Sequence, residues 1–235
     1  MVNRYFVYSL IFSRTPEKAY RFLCFQKRAK GYYFSGKGAG GGTIVPDGQQ
    51  LKGAAKFALP GGQFDGKDWT NLPDVLAQCQ KELTEECGRQ IHFVTNTQIV
   101  AAGGVSGEDE TVHAVATLKQ WGVNLGSTKG YAALYLQVPD KELEVIAGYI
   151  GTCMQQRDDA ALKITNGEWG AGDYGKLAAA FPMAPMDDEI HPMSPTCYVI
   201  AVDGFAKDPF IAALLNDSDT DWFGTIIAAL PDVSN

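Results

Sequence analysis

The stretch that decides the fold is Lys81-Glu82-Leu83-Thr84-Glu85-Glu86-Cys87-Gly88, read together with Leu59-Pro60-Gly61-Gly62 upstream. On a helix, Glu82, Glu85 and Glu86 lie three and four residues apart, and like charges at that spacing repel one another. Glutamates near a helix C-terminus also oppose the helix dipole. A divalent cation is the partner that would best offset this repulsion.

The octet closes a predicted helix that covers about residues 72–87. Asn71 is a suitable N-terminal cap, and Pro73 and Asp74 suit the first turn. Gly88 suits the position just past the helix end. The acidic residues are therefore expected in the last two turns.

The helix carries its glutamates beside an apolar stripe. At roughly 100° per residue, Glu86 falls within that stripe, Glu82 at its margin and Glu85 just beyond Glu82. Carboxylates at the edge of a buried face are partly desolvated, so leaving them without a partner is costly. Hard oxygen ligands suit Mg²⁺ or Mn²⁺, with substrate phosphates and waters completing the shell. The alternative is a solvated acidic helix end that pairs with Lys81 or Arg89.

These residues resemble a known family motif. Leu59-Pro60-Gly61-Gly62 followed by the octet resembles the Nudix box of the Nudix hydrolases, G-x5-E-x7-R-E-U-x-E-E-x-G-U, where U is a bulky apolar residue. Gly62 matches the opening glycine, and Glu82, Glu85 and Glu86 match the box glutamates. The resemblance implies an α/β/α sandwich and the hydrolysis of a diphosphate linked to another group, usually with Mg²⁺.

The chain departs from the pattern at several positions. Lys81 stands where the family has arginine. Lysine keeps the positive charge but lacks the planar guanidinium group that can form two parallel hydrogen bonds. The step from Gly62 to Lys81 is 19 positions, five more than the pattern has. The first acidic position holds no glutamate: counted from Gly62 it is Asp68, and from the helix side Asp74 is nearest. Arg89 stands where an apolar residue is expected.

The resemblance also implies roles for individual residues. A metal-bound water would attack a phosphorus of the pyrophosphate, with one carboxylate acting as general base. Glu86 or Glu85 is the first choice for that base, and Glu108, Glu110 and Glu189 are the candidates outside the box. The predicted site residues are Glu85, Glu86 and Lys81 for catalysis, Glu82, Glu85 and Glu86 for the metal, and Gly61, Gly62 and Lys37 for the substrate.

Two weaker signals concern substrate contacts. The run from Gly31 to Gly38 resembles a phosphate loop, but Gly38 replaces the hydroxyl that would bind a metal, so a flexible glycine-rich loop is the better interpretation. Lys37 or Arg28 could still contact a substrate phosphate. The aromatic side chains of Tyr32, Tyr33, Trp69 and Trp121 could stack on a base, although most aromatic residues serve packing.

Composition narrows the class of protein. The net charge of -7 over 235 residues argues against a general nucleic-acid binder, which would show a basic face. The five cysteines include no C-x-x-C pair and no zinc spacing, which favours a reduced, cytoplasmic chain. Residues 5–12 form a short apolar run that predicts a strand rather than a signal peptide, and no run is long enough to span a bilayer.

The remaining patterns predict a mixed order of strands and helices. Strands are expected at residues 5–12, 20–26, 56–59, 91–102, 112–119, 131–138 and 198–202, and helices at 72–87, 141–155, 209–215 and 222–230. A glycine-rich stretch at 31–53 predicts a mobile loop.

The sequence therefore predicts one Nudix-like α/β domain over residues 1–235, with a mixed sheet and extra C-terminal helices. The expected function is Mg²⁺- or Mn²⁺-dependent cleavage of the pyrophosphate of a nucleoside diphosphate linked to another group. The alternative is a catalytically silent Nudix-fold module that binds a nucleotide or has a regulatory role. The expected partner is a small-molecule nucleotide, with no nucleic acid and no membrane, and a homodimer stays open because the family often dimerises.

Overall fold

The computed structural model describes residues 4–15, 19–30, 56–87, 91–95, 98–101, 110–121, 129–168, 196–201, 209–216 and 221–233. Ten strands and five helices lie within these ranges. The strands are β1 (Arg4–Arg14), β2 (Ala19–Gln26), β3 (Phe57–Ala58), β4 (Gly61–Gln63), β5 (Ile91–Thr95), β6 (Gln98–Ala101), β7 (Glu110–His113), β8 (Val115–Trp121), β9 (Lys129–Gln137) and β10 (Thr196–Ala201). The helices are α1 (Leu72–Cys87), α2 (Asp140–Thr165), α3 (Pro209–Asn216), α4 (Asp221–Ala228) and α5 (Leu230–Val233).

The larger sheet is mixed and has β1 at its centre. Its strand order is β10-β2-β1-β9-β8, with β3 paired to β2 and β4 paired to β1. β1 and β9 are parallel, whereas the other pairs in this sheet are antiparallel. One edge of β1 is divided between two partners: Phe6–Tyr8 pair with β4, and Phe12–Arg14 pair with β2. This division brings the short glycine strand β4 into the middle of the sheet.

The side chains of β1 alternate between two hydrophobic clusters, as the two-residue period of a strand requires. Val7 and Ile11 pack in a cluster with buried residues of α1 and α2, among them Leu83 and Ile146. Leu10 and Phe12 pack in a second cluster with buried residues of α4, such as Phe223 and Ile226. Helices therefore cover both sets of β1 side chains, and α1 is held on the side of Val7.

Most predicted elements are confirmed, and α1 has the predicted bounds. The prediction of a single strand at 91–102 was wrong, because β5 and β6 pair antiparallel within it. The polar run Thr95-Asn96-Thr97-Gln98 is the break in the sequence pattern that separates them. The predicted strand at 112–119 is likewise two strands, β7 and β8, which belong to different sheets.

Two further predictions are corrected. Gly61-Gly62 follows the predicted strand at 56–59 and lies in no predicted element, but it opens β4, because its backbone pairs with Val7 and Tyr8. The helix predicted at 141–155 continues to Thr165, because the polar residues after its predicted end are not all solvated. Arg157 and Asp158 are buried and paired there. The predicted loop at 31–53 lies outside the described residues.

None of the helices in the described parts of the chain is long and apolar enough to cross a membrane. Four cysteines, Cys24, Cys79, Cys87 and Cys153, are buried and form no disulfide bond in the described ranges. Burial raises the pKa of the Cys79 thiol to about 12 and that of Cys153 to about 11. Because the thiolate is the reactive form, these two side chains are poor nucleophiles near neutral pH.

Candidate active site

The Gly61-Gly62 pair is held firmly against β1. Pro60, just before the pair, accepts a hydrogen bond through its carbonyl from the Ser9 amide at 2.8 Å. Phe64, just after β4, donates its amide to the Tyr5 carbonyl at 2.9 Å. The backbone on both sides of the pair is thus fixed to β1.

Glu86 meets this backbone from the helix side. The Gly61 amide donates a hydrogen bond to Glu86 Oε2 at 2.8 Å, although 25 residues separate the two. Glu86 is buried, with 7% of its surface exposed. A backbone N–H that donates to a carboxylate is a charge-assisted bond, which is stronger than a bond between neutral groups. The predicted stripe position of Glu86 therefore corresponds to a buried carboxylate with a defined partner.

Glu82 lies against the second glycine. A Cβ at Gly62 would stand 2.8 Å from Glu82 Oε2, so the carboxylate occupies the space beside the glycine backbone. Gln78, one turn earlier, donates through Nε2 to Glu82 Oε1 at 2.6 Å. The carboxylates of Glu82 and Glu86 therefore approach the same two-residue backbone segment.

The environment of Glu82 disfavours its charged form. Burial raises the pKa of the Glu82 carboxyl above its ordinary value of 4.5. The neighbouring charges of Glu85 and Asp65 also raise it, against the lowering effects of the Gln78 hydrogen bond and the Lys81 charge. A carboxyl with a raised pKa beside other acids gains most from a cation nearby.

Glu85 and Lys81 form the exposed side of the same helix end. Lys81 Nζ lies 3.9 Å from Glu85 Oε1, and each side chain is 52% exposed. An exposed pair at this spacing contributes little stability. Lys81, which stands at the arginine position of the box, thus contacts Glu85.

The three glutamates do not converge on one point. Within the part of the chain that the structure describes, no group of three or more His, Cys, Asp or Glu side chains is placed to hold a metal ion. Glu82 and Glu86 approach Gly61-Gly62, whereas Glu85 lies on the exposed side. Two carboxylates are nonetheless what Mg²⁺ commonly takes from a protein, because substrate phosphates and waters supply its other ligands. The donor set of Glu82 and Glu86 fits such an ion.

Asp65 is a carboxylate that the sequence reasoning missed. It is exposed, follows β4 by two residues, and acts electrostatically on Glu82. Its nearness to Gly62 in the chain was the available signal, but the family pattern places its first acidic residue further on. Asp68, the residue counted from that pattern, accepts hydrogen bonds from the Thr70 amide at 2.9 Å and the Thr70 hydroxyl at 2.7 Å. These bonds lower the pKa of Asp68 and keep it in the turn before α1.

Other predicted site residues make contacts elsewhere or lie outside the described residues. Arg28 pairs with Asp158 of α2, so its guanidinium is engaged there. Trp69 is buried and stacks on Tyr5, with ring centroids 4.5 Å apart, so it serves packing in the first cluster. The predicted residues that fall outside the described ranges are Tyr32, Tyr33, Lys37, Arg89, Glu108 and Glu189, and of Glu110 only the backbone is described.

Comparisons with known proteins give one structural neighbour. A crystal structure of a mutT/nudix family protein from Listeria innocua matches with a TM-score of 0.33 and 14% sequence identity, over 63% of this chain and 72% of that one. No protein-family model matches the chain, and no curated protein sequence matches it.

Proposed function

We propose that this chain is a Nudix-like hydrolase with an α/β/α sandwich fold. In this proposal it cleaves the pyrophosphate of a nucleoside diphosphate linked to another group, with Mg²⁺ or Mn²⁺ bound. The observation that carries the proposal is the approach of Glu82 and Glu86 to Gly61-Gly62. The contacts between these residues, which are far apart in the sequence, support the proposal.

Glu82 and Glu86 are the residues that would hold the metal. When bound, a divalent cation neutralises developing charge on the phosphate oxygens and lowers the pKa of a coordinated water. The raised pKa of Glu82 supports this assignment, because a carboxyl that is disfavoured as an anion in the free protein gains from a nearby cation. The Gly61 amide orients Glu86 by occupying one of its two oxygens.

Glu85 is the glutamate best placed to accept a proton from the attacking water. Its side chain is half exposed, whereas an oxygen of Glu86 and one of Glu82 already accept hydrogen bonds within the protein. Lys81 would keep the Glu85 carboxylate oriented from one side. The lysine ammonium is a point charge, whereas an arginine guanidinium is planar and can form two hydrogen bonds to one carboxylate. The carboxylate is therefore held less firmly than arginine would hold it.

A catalytically silent nucleotide-binding module is the second candidate. It is favoured by the position of Glu85. Among the described residues, Glu85 does not form a group of three metal ligands with Glu82 and Glu86. The substitution of lysine at the arginine position favours it as well. The same carboxylates would then bind a metal-nucleotide complex without turnover.

The deciding experiment measures phosphate or monophosphate release from a panel of nucleoside diphosphate compounds, with Mg²⁺ and with chelator. Metal-dependent release that Glu86→Gln lowers by about a hundredfold or more would support the hydrolase. Absence of release, together with a Mg²⁺-dependent rise in Tm that Glu86→Gln abolishes, would support the silent module. Unchanged turnover in Glu86→Gln with ordinary metal dependence would contradict the assignment of the site.

A further inference from the structure

Helix α4 brings one aromatic ring to the part of β1 that pairs with the glycine strand β4. Trp222, the second residue of α4, stacks on Tyr8 with ring centroids 3.9 Å apart and an interplanar angle of 16°. Tyr8 in turn pairs with Gly61 in the register of β1 and β4. Helix α4 is therefore linked through a single residue, Tyr8, to the backbone that binds Glu86.

The position of α4 itself is well fixed. Phe223, Ile226 and Ile227 are fully buried in the second hydrophobic cluster. The Tyr135 hydroxyl of β9 donates to the Ile226 carbonyl at 2.7 Å, which fastens the helix to the sheet. The Trp222 ring is carried by this anchored helix, and a stacked pair of rings contributes stability beyond the area that it buries. Tyr8 therefore packs against a ring that has a defined place.

Tyr8 occupies the space beside the Gly61 backbone. A Cβ at Gly61 would stand 2.6 Å from Tyr8 Cδ1 and 2.1 Å from the Val7 carbonyl oxygen, so no side chain fits at this position. Glycine permits this close approach of a ring to the backbone. Because the Tyr8 ring lies directly against the Gly61 peptide, it limits the positions that this peptide can take.

The same peptide holds Glu86, since the Gly61 amide donates to Glu86 Oε2 at 2.8 Å. Burial raises the pKa of the Tyr8 hydroxyl, and the charge of Glu86 raises it further, which is consistent with the closeness of the two side chains. A series of contacts therefore runs from Trp222 through Tyr8 and Gly61 to Glu86.

Small movements of the Gly61 peptide matter for Glu86, because a hydrogen bond weakens steeply as its angle departs from linearity. A displaced amide would no longer set the direction of the Glu86 carboxylate. A metal ligand has to be held within about 0.5 Å of its working position by the groups around it. A ring that restrains the Gly61 peptide therefore supports the ligand without touching it.

We propose that Trp222 is a positioning residue for the carboxylate site, because it holds Tyr8 against Gly61 and thereby fixes the amide that orients Glu86. The inference rests on the proposed function, in which Glu86 is a metal ligand, but the contacts that it uses are present without metal. The alternative is that the stack of Trp222 on Tyr8 serves only the packing of α4. The two differ in what loss of the Trp222 ring does to the Gly61 amide, apart from its effect on overall stability.

Hydrogen exchange of the Gly61 amide, followed by NMR on the full chain without metal, measures this restraint directly. Trp222→Leu removes the stacking ring, whereas Trp222→Phe keeps a ring that can stack. Leu143→Ala is the control for a loss of stability alone, since Leu143 is fully buried in the first cluster. Its helix, α2, begins beside Ser13, five residues beyond Tyr8 on β1. The slowest-exchanging amides of each variant report global unfolding and serve as the internal reference.

Trp222→Leu should speed exchange of the Gly61 amide by about tenfold more than it speeds the slowest amides. Trp222→Phe should keep the Gly61 rate within about threefold of the parent, because most of the stacking remains. Leu143→Ala should give no excess at Gly61. An equal effect of Trp222→Leu on Gly61 and on the slowest amides would show that the ring only packs α4, and would overturn the inference. If Trp222→Leu fails to fold, Trp222→Met takes its place, because the flexible methionine side chain adapts to the space that is left.

Calorimetric titration with Mg²⁺ alone separates this inference from the proposed function. Mg²⁺ should bind the parent protein, and Trp222→Leu should weaken that binding by about tenfold, whereas Leu143→Ala should leave it unchanged. If Mg²⁺ binds the parent and Trp222→Leu equally well, the metal site stands and the positioning role is overturned. If no Mg²⁺ binds the parent while exchange at Gly61 responds to Trp222→Leu, the proposed metal site fails and Trp222 still positions Glu86.

Discussion

The amide of Gly61 donates to Glu86 Oε2 over 2.8 Å, which ties the C-terminal part of α1 to the central sheet. A glutamate in this part of a helix is opposed by the helix dipole and by its acidic neighbours. The bond to a fixed backbone amide offsets part of that cost and sets the direction of the carboxylate. Glu85, one residue earlier, has no such tie and meets Lys81 at the exposed surface.

This difference predicts a division of labour between two adjacent glutamates. In Glu86→Gln we expect loss of both turnover and the Mg²⁺-dependent rise in Tm, since the substitution removes a metal ligand. In Glu85→Gln we expect turnover to fall by about a hundredfold while the rise in Tm persists, since the proton acceptor is removed but the ligands stay. Activity assays and thermal melts with and without Mg²⁺ test this. Equal loss of the Mg²⁺ response in both variants would show that Glu85 is a ligand too.

The contact between Gly62 and Glu82 predicts an effect of adding one methyl group. In Gly62→Ala the new Cβ would stand 2.8 Å from Glu82 Oε2, so the end of that flexible side chain must move. We expect turnover and the Mg²⁺-dependent rise in Tm to fall by about tenfold or more. The Tm without Mg²⁺ should change little, because the end of a side chain, rather than backbone, has to move.

Gly148→Ala is the matched control for this substitution. Gly148 lies within α2, and a Cβ there would meet nothing within 4 Å. Alanine in a helix interior is favoured over glycine by about 0.5–1 kcal/mol, so this variant should melt at a higher temperature with activity unchanged. Full activity in Gly62→Ala would mean that Glu82 does not need its observed position.

A buried ion cluster that includes two residues of α2 predicts a large effect on stability. Asp158 contacts both Arg28 and Arg157, and Arg157 is fully buried. Asp158→Asn removes the carboxylate that faces two guanidinium groups, so we expect the free energy of unfolding to drop by about 3–5 kcal/mol. Urea denaturation measures this.

The neighbouring aspartate provides the control. Asp159 is exposed and accepts a hydrogen bond from Gln155 at 2.8 Å. Asp159→Asn should therefore change the free energy of unfolding by less than about 0.5 kcal/mol. Similar small effects of both substitutions would show that the Asp158 cluster contributes little.

The features that sequence reasoning found are those with a local signal. The sequence of helix α1 offers a cap residue, a proline, an apolar stripe and a following glycine, all between Asn71 and Gly88. The end of α2 was not predicted correctly, because Arg157-Asp158 looks like a solvated pair in the sequence. Arg28, which follows β2, pairs with Asp158 in the structure, and this contact between distant parts of the chain is not visible in the sequence.

The candidate site shows the same limit. The spacing of Glu82, Glu85 and Glu86 was visible in the sequence, but which of them faces Gly61-Gly62 depends on how α1 is rotated against β1. That rotation is set by burial of Val75, Cys79 and Leu83. The pairing of Tyr8 with Trp222 was not visible, since 214 residues separate them.

The environment of Glu82 predicts how stability depends on pH. Because the pKa of the Glu82 carboxyl is raised on folding, the folded protein holds this proton more tightly than the unfolded chain does. Its contribution to stability is complete below the ordinary value of 4.5 and is lost as the pH rises through the folded pKa. At pH 7 without metal the ionised Glu82 is therefore destabilising.

Glu82→Gln removes this ionisation and keeps an oxygen that can accept from Gln78. We expect the variant to melt above the parent protein at pH 7 in chelator, and this difference should shrink as the pH approaches 4.5. Saturating Mg²⁺ should reverse the order, since only the parent keeps both carboxylates for the metal. Glu168→Gln, which removes a charge from an exposed turn, should show neither effect. A variant that melts below the parent throughout this pH range in chelator would contradict the raised pKa of Glu82. If Mg²⁺ does not reverse the order of the two melting temperatures, Glu82 is not a metal ligand.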